Sequence, residues 1–138
     1  MEWLSFEGVD WLAVAIAFGV SFAFGWWYYS PAGVWKVWKR AAKVTDADME
    51  GASMGVAFGG TIVANALGVI LLSVLMVRLD AATWPDGLVL GAMLGLVYRA
   101  GAHAIHNGFA MRSPVVTALD GLHDVVALGL AGALLGLF

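Results

Sequence analysis

Residues 26–43 read WWYYSPAGVWKVWKRAAK. Four consecutive aromatics, Trp26, Trp27, Tyr28 and Tyr29, close an apolar run. Ser30-Pro31 follows, and then Lys36, Lys39, Arg40 and Lys43 are set among Trp35 and Trp38. Aromatic rings settle at the level of lipid headgroups, and clustered Lys/Arg marks the cytoplasmic side of a membrane. Pro31 has no backbone N–H to donate, so a helix arriving from the N-terminal side breaks or kinks there. The stretch therefore reads as the end of a membrane span, an interface anchor and, over Val34–Val44, a short amphipathic helix along the inner surface. A buried helix ending at the basic surface of a soluble domain is the other reading. The long apolar runs on both sides argue against it.

Composition agrees. Hydrophobic residues make up 62% and charged residues 12% of the 138, against roughly 45–50% and about 25% in soluble domains. The net charge of −3 gives no reason to expect nucleic-acid binding. With no cysteine, disulfides and thiolate metal sites are excluded. The first apolar run follows Glu2, Glu7 and Asp10 rather than a basic segment, so it is expected to be a retained helix and not a signal peptide. Trp3 and Phe6 in that acidic segment are placed at the interface.

Working outward, Trp11 to Tyr29 is long enough, at about 1.5 Å per residue, to cross a hydrocarbon core of ~30 Å. The chain divides into a single transmembrane domain, residues 1–138, with spans at about 9–30, 49–78, 86–107 and 115–138. The expected fold is an all-α integral membrane four-helix bundle with a short interfacial helix after the first span. Thr45 and Asp48 form a capping-box pair ahead of the second span. Thr83-Trp84-Pro85-Asp86 is the turn before the third, with Pro85 suited to the first turn of a helix. Gly51, Gly55 and Gly59 in the second span, and Gly87, Gly91 and Gly95 in the third, recur every four residues. Such glycine faces let neighbouring helices approach closely, where packing replaces the absent hydrophobic effect. They are expected to pack inside the bundle, to form a homodimer seam, or both.

The aromatic–proline stretch also carries a resemblance. Tyr28-Tyr29-Ser30-Pro31, followed by Gly33-Val34-Trp35-Lys36 and Trp38, resembles the W-Y-S-P…F-G-K-x-W signature of a bacterial membrane family catalogued as domain of unknown function 1761. Tyr28 stands where that signature has Trp, and the residues between Pro31 and Trp38 are rearranged. The resemblance runs the full length, through four hydrophobic segments, a basic first loop, and a last helix that begins near Ser113-Pro114 and contains a His. It implies a four-helix integral membrane protein and brings no activity with it, so any chemistry has to come from the residues.

The residues that could carry chemistry lie on the third and fourth spans. Arg99, His103 and His106 are spaced by four and three and share a helix face, as do Asp120, His123 and Asp124. If the loop centres near Met111, antiparallel packing sets Arg99 opposite Asp124, His103 opposite Asp120, and His106 opposite Thr117. Charged groups in a bilayer are costly and usually paired. Asn65, near the middle of the second span, also needs a partner.

Three readings of the cluster stay open: internal pairs that hold the hairpin in register, a proton- or ion-coupled binding site, and a metal or haem site at His103, His106 and His123. Arg99 would repel a cation, and no cofactor is expected. No P-loop, dinucleotide fingerprint or Ser-His-Asp arrangement is present. The chain is thus expected to be a non-enzymatic accessory, assembly or binding protein, or else a small transporter using the cluster. The lipid bilayer is the expected partner, with a homo-oligomer or larger membrane complex, and no nucleic acid. Lys/Arg counts place loops 31–48 and 108–114 in the cytoplasm and both termini outside, in the inner membrane of a prokaryotic cell.

Overall fold

The computed structural model describes residues 5–138, so Trp3 lies outside the described residues. Within them the chain forms helices and no strand. The helices are α1 (Trp11–Tyr28), α2 (Trp35–Ala42), α3 (Asp46–Glu50), α4 (Met54–Arg78), α5 (Trp84–Phe109) and α6 (Pro114–Leu135). Four of them, α1, α4, α5 and α6, are long and apolar enough to cross a membrane. The architecture is the all-α four-span bundle, with α2 as the short helix after the first span.

Local chemistry sets the helix ends. The Asp10 carboxylate accepts from the backbone N–H groups of Leu12 and Ala13 and starts α1. Thr45 and Asp48 form a reciprocal capping box at α3. Thr83 caps α5 with Pro85 in its first turn, and Ser113 caps α6 just before Pro114. The break expected at Pro31 falls slightly earlier. α1 stops at Tyr28, and the chain folds back so that Val34 N–H donates to Tyr28 O at 2.8 Å. A Cβ on Gly33 would lie 2.8 Å from Trp27 O, so only glycine fits this turn.

The second span differs from the expected 49–78. The capping box yields one turn of helix, α3, which ends at Glu50, and α4 begins afresh at Met54 after a bend at Gly51–Ser53. Gly51 is therefore the C-cap of α3 and not part of the spanning helix.

The last helix, α6, is the centre of the bundle and packs against α1, α4 and α5. The core joins Ala13, Val14 and Ala17 of α1, Val69, Leu72 and Met76 of α4, and Leu128, Ala131 and Leu135 of α6. The glycines of α5 reach α6 at backbone distance. Cβ atoms at Gly87 and Gly91 would fall inside the backbones of Gly132 and Leu128, and one at Gly95 would lie 2.6 Å from Asp124 O. The glycines of the second span do not behave this way. Gly55 and Gly59 have nothing within 4 Å of a built Cβ, and Gly51 meets only the carbonyls of its own short helix. The physical reason is that α4 is buried in the bundle only through its C-terminal half, and its N-terminal half meets its neighbours at a few non-glycine positions, Phe58, Ala64 and Asn65. Its buried residues begin at Val69, while Met54–Ala64 is exposed throughout.

Within α5, residues Gly95–Ala100 form a π-helical segment. A π turn inserts one extra residue and rotates everything after it relative to an unbroken α-helix. That insertion decides the partners of the polar cluster.

Candidate functional site

Asp124 lies midway along α6 and is buried. Three cationic or imidazole groups surround its carboxylate. Arg99 Nη1 is 3.5 Å from Oδ1, His123 Nδ1 is 3.1 Å from Oδ1, and His103 Nε2 is 3.0 Å from Oδ2. Arg99 also donates to Asn65 Oδ1 at 3.1 Å and to Ala64 O at 3.2 Å, which ties α5 to α4 as well as to α6. A charged residue at mid-membrane costs about 3 kcal/mol on insertion scales, more than the ~1 kcal/mol one hydrogen bond returns. Several partners around each charge therefore offset what a single contact would not. Gly68 of α4 leaves the guanidinium its space, since a Cβ there would lie 2.9 Å from Arg99 Nη2.

Arg99 and Asp124 meet as their depths suggest, whereas the neighbouring expected pairs do not form. His103 faces Asp124 and not Asp120. His106, expected opposite Thr117, is exposed. The π turn between Gly95 and Ala100 shifts both histidines out of the register that an uninterrupted helix would give. Asp120 instead makes a second hub at the base of the bundle. Its Oδ1 accepts from Tyr29 Oη at 2.7 Å and from Trp38 Nε1 at 2.8 Å. Tyr28 is buried and donates to Leu119 O at 3.0 Å.

Tyr28, Tyr29 and Trp38, expected as interface anchors, thus point inward and fasten the end of α1 and the helix α2 onto α6. Trp35 stacks on Trp38, with ring centroids 5.8 Å apart. Trp26 and Trp27 stay exposed at the end of α1. Lys36 and Arg40 are exposed, while Lys39 is partly covered and pairs with Asp46.

Beside the Asp124 hub, between α1 and α4, lies a cavity of about 400 Å³. Phe22, Trp26, Tyr29, Phe58, Asn65 and His123 contribute its walls, and no charged side chain lines it. Trp26 stacks on Phe58 at 6.2 Å and links α1 to α4 across it. His123 is the wall shared with the cluster. A carboxylate only accepts, so His123 donates to Asp124 from Nδ1, and its other ring nitrogen is Nε2. That Nε2 is buried and has no hydrogen-bond partner. It faces Gly25, where a Cβ would stand 2.9 Å away, and the ring stacks against Phe24 at 5.7 Å. The roles of Gly25, Gly68, Tyr29 and Trp38 carried no spacing signal within one helix, because each depends on a partner about thirty or more residues away.

Among the described residues no group of three or more His, Asp or Glu side chains is arranged to hold a metal ion. His103 and His123 approach different oxygens of Asp124, and His106 makes no hydrogen bond to either aspartate.

Comparison with curated proteins and with solved structures returns no match. A family model described as "Protein of unknown function (DUF1761)" matches residues 12–136, which takes in all four spans and both hubs. The chain belongs to that family.

Proposed function

We propose that this chain is a non-enzymatic membrane protein that binds a neutral, largely apolar small molecule in the cavity between α1 and α4. The observation that carries the reading is an uncharged, aromatic-walled space of about 400 Å³ whose His123 wall is fixed from behind by Asp124. Small-molecule sites are concave, mostly apolar and supplied with a few placed polar groups. Asn65 is such a group here, and the His123 ring forms a fixed wall. The Arg99–Asp124–His103 contacts are direct and hold the wall in place, and Asp120 is engaged elsewhere. This favours binding over a proton-coupled pathway through the whole polar set.

A neutral probe tests the reading. Titration of the purified protein with 4-fluorophenol, followed by fluorine NMR, should give a saturable bound resonance. Thr61→Trp, which fills the cavity from α4, should abolish the resonance and leave the melting temperature unchanged. Equal signals from both proteins would show partition into detergent only and overturn the reading.

One observation favours a second role. The exposed Met54–Ala64 half of α4, with Gly55 and Gly59 open, suits packing against another copy or a partner protein, as an assembly or accessory subunit would use it. A fall in oligomeric mass on Gly55→Leu would support that role, and an unchanged monomer would remove it.

We place the end of the bundle that carries Lys36, Lys39, Arg40, Lys43 and Arg112 in the cytoplasm, with both termini outside the inner membrane of a prokaryotic cell. The far end carries only Arg78 among its connections. Reporter fusions at residues 2 and 138 test this, and a cytoplasmic C-terminus would contradict it.

A further inference from the structure

The first loop contains a second concavity, which adjoins the His123 cavity at Pro31. It is an open groove of about 730 Å³ along α2, lined by Trp35, Lys36, Lys39, Arg40 and Lys43 and closed at one end by Val44 and Thr45. At roughly 100° per residue, positions 36, 39, 40 and 43 share one side of the helix. The opposite side carries Trp38, which is fastened to Asp120. The groove is therefore held rigidly against the bundle. Lys43 adopts the left-handed conformation at φ 55°, and Val44 N–H returns to Lys39 O at 3.2 Å, which brings the chain back along the groove. Among the described residues the one ion pair here is Lys39 with Asp46. Lys36, Arg40 and Lys43 carry charge with no acidic partner.

We propose that this groove is a binding site for a phosphate group, clasped by Arg40 between Lys36 and Lys43 over the Trp35 ring. Arginine presents a planar fork that matches phosphate oxygens, and lysines add point charges. Basic pockets beside membrane helices take up phosphate-bearing headgroups. Arg40 lies in the last turn of α2 and Lys43 is its C-cap, so their charges, with that of Lys36, offset the repulsion of the helix C-terminal carbonyls. Pro31 lines both the groove and the cavity that Trp26 borders, and Trp26 and Trp27 are the exposed aromatics expected at headgroup depth. This makes an anionic phospholipid the favoured source over soluble phosphate.

The test uses detergent-purified, lipid-stripped protein and two probes. Native mass spectrometry measures retention of dioleoylphosphatidylglycerol against dioleoylphosphatidylcholine. Melting in the absence of lipid measures any response to inorganic phosphate. Wild type should retain phosphatidylglycerol preferentially. Lys36→Gln/Arg40→Gln/Lys43→Gln should bind it about a hundredfold more weakly, roughly fivefold for each cation removed. Lys36→Arg/Lys43→Arg should keep the preference, and circular dichroism should show all variants folded, since the replaced side chains hold no partner. If inorganic phosphate alone raises the melting temperature of wild type and not of the triple glutamine variant, with no lipid preference, the site takes soluble phosphate. Equal phosphatidylglycerol retention by wild type and the triple variant, or binding of neither probe, would overturn the proposal.

Discussion

Asp124 hydrogen-bonds to His103 and His123 and pairs ionically with Arg99, and its burial makes each of these contacts consequential. Arg99→Ala leaves the carboxylate with imidazoles alone and frees Asn65. The expected loss is about 3 kcal/mol, the low end of the range for buried pairs because unfolded spans find substitute partners in the bilayer. Thermal melts in detergent measure it. Gly25→Ala places a methyl group against His123 Nε2, which has no room to receive it. The imidazole must swing away from Asp124, and the His123 ring resonances should shift while those of His106 remain in place. The Arg99–Asp124 pair was legible in the sequence, because two charges at equal depth in adjacent spans leave few alternatives. The partner of His103 was not, because a π turn has no residue signature that separates it from an ordinary helical turn. Nor was the inward role of Tyr29 and Trp38, since their hydroxyl and indole N–H equally suit the interface.

Among the elements, α5 and α4 carry the same four-residue glycine spacing and use it differently. Gly91→Leu would drive a side chain into the α6 backbone and is expected to cost more than the ~1–3 kcal/mol of ordinary overpacking. Gly55→Leu meets open space, and its effect on the melting temperature of the isolated chain should lie within about 0.5 kcal/mol. Equal losses at both positions would show that α4 packs through its glycines after all. Spacing announces a face able to approach closely, whereas the apolar bulk near Val69–Met76 decides where α4 meets its neighbours.

Outside the spans, the capping box of α3 makes a pH-dependent contribution. The Thr45 hydroxyl and backbone N–H hold the Asp48 carboxyl below its ordinary range. A depressed carboxyl stabilises fully above its ordinary pKa, and the contribution is lost as pH falls through the lower folded value. Amide exchange at Thr45 should therefore accelerate only in strong acid, and Asp48→Ala should remove that dependence.

At the scale of the whole molecule, α6 is the axis on which the other spans are hung, and its two aspartates divide the work. Asp120 fastens the base of the bundle, through Tyr29 and Trp38. Asp124 draws α5 toward α6 and fixes the His123 wall of the cavity. Hydropathy, the basic loop and the caps made the four spans and their order legible. Which helix would be central was not, because α6 has much the same apolar character as its neighbours, and its position follows from glycine contacts made across the bundle. The central claim is that the charged cluster holds the wall while the neighbouring cavity binds. The double variant Arg99→Met/Asp124→Asn tests it most directly. It removes both charges and keeps an oxygen acceptor for His123. Titrated with 4-fluorophenol, it should melt within about 1 kcal/mol of wild type, as neutralised buried pairs often do, and retain the saturable bound resonance. A variant that melts like wild type and has lost the probe would mean that the charges themselves are the site, and would contradict the claim.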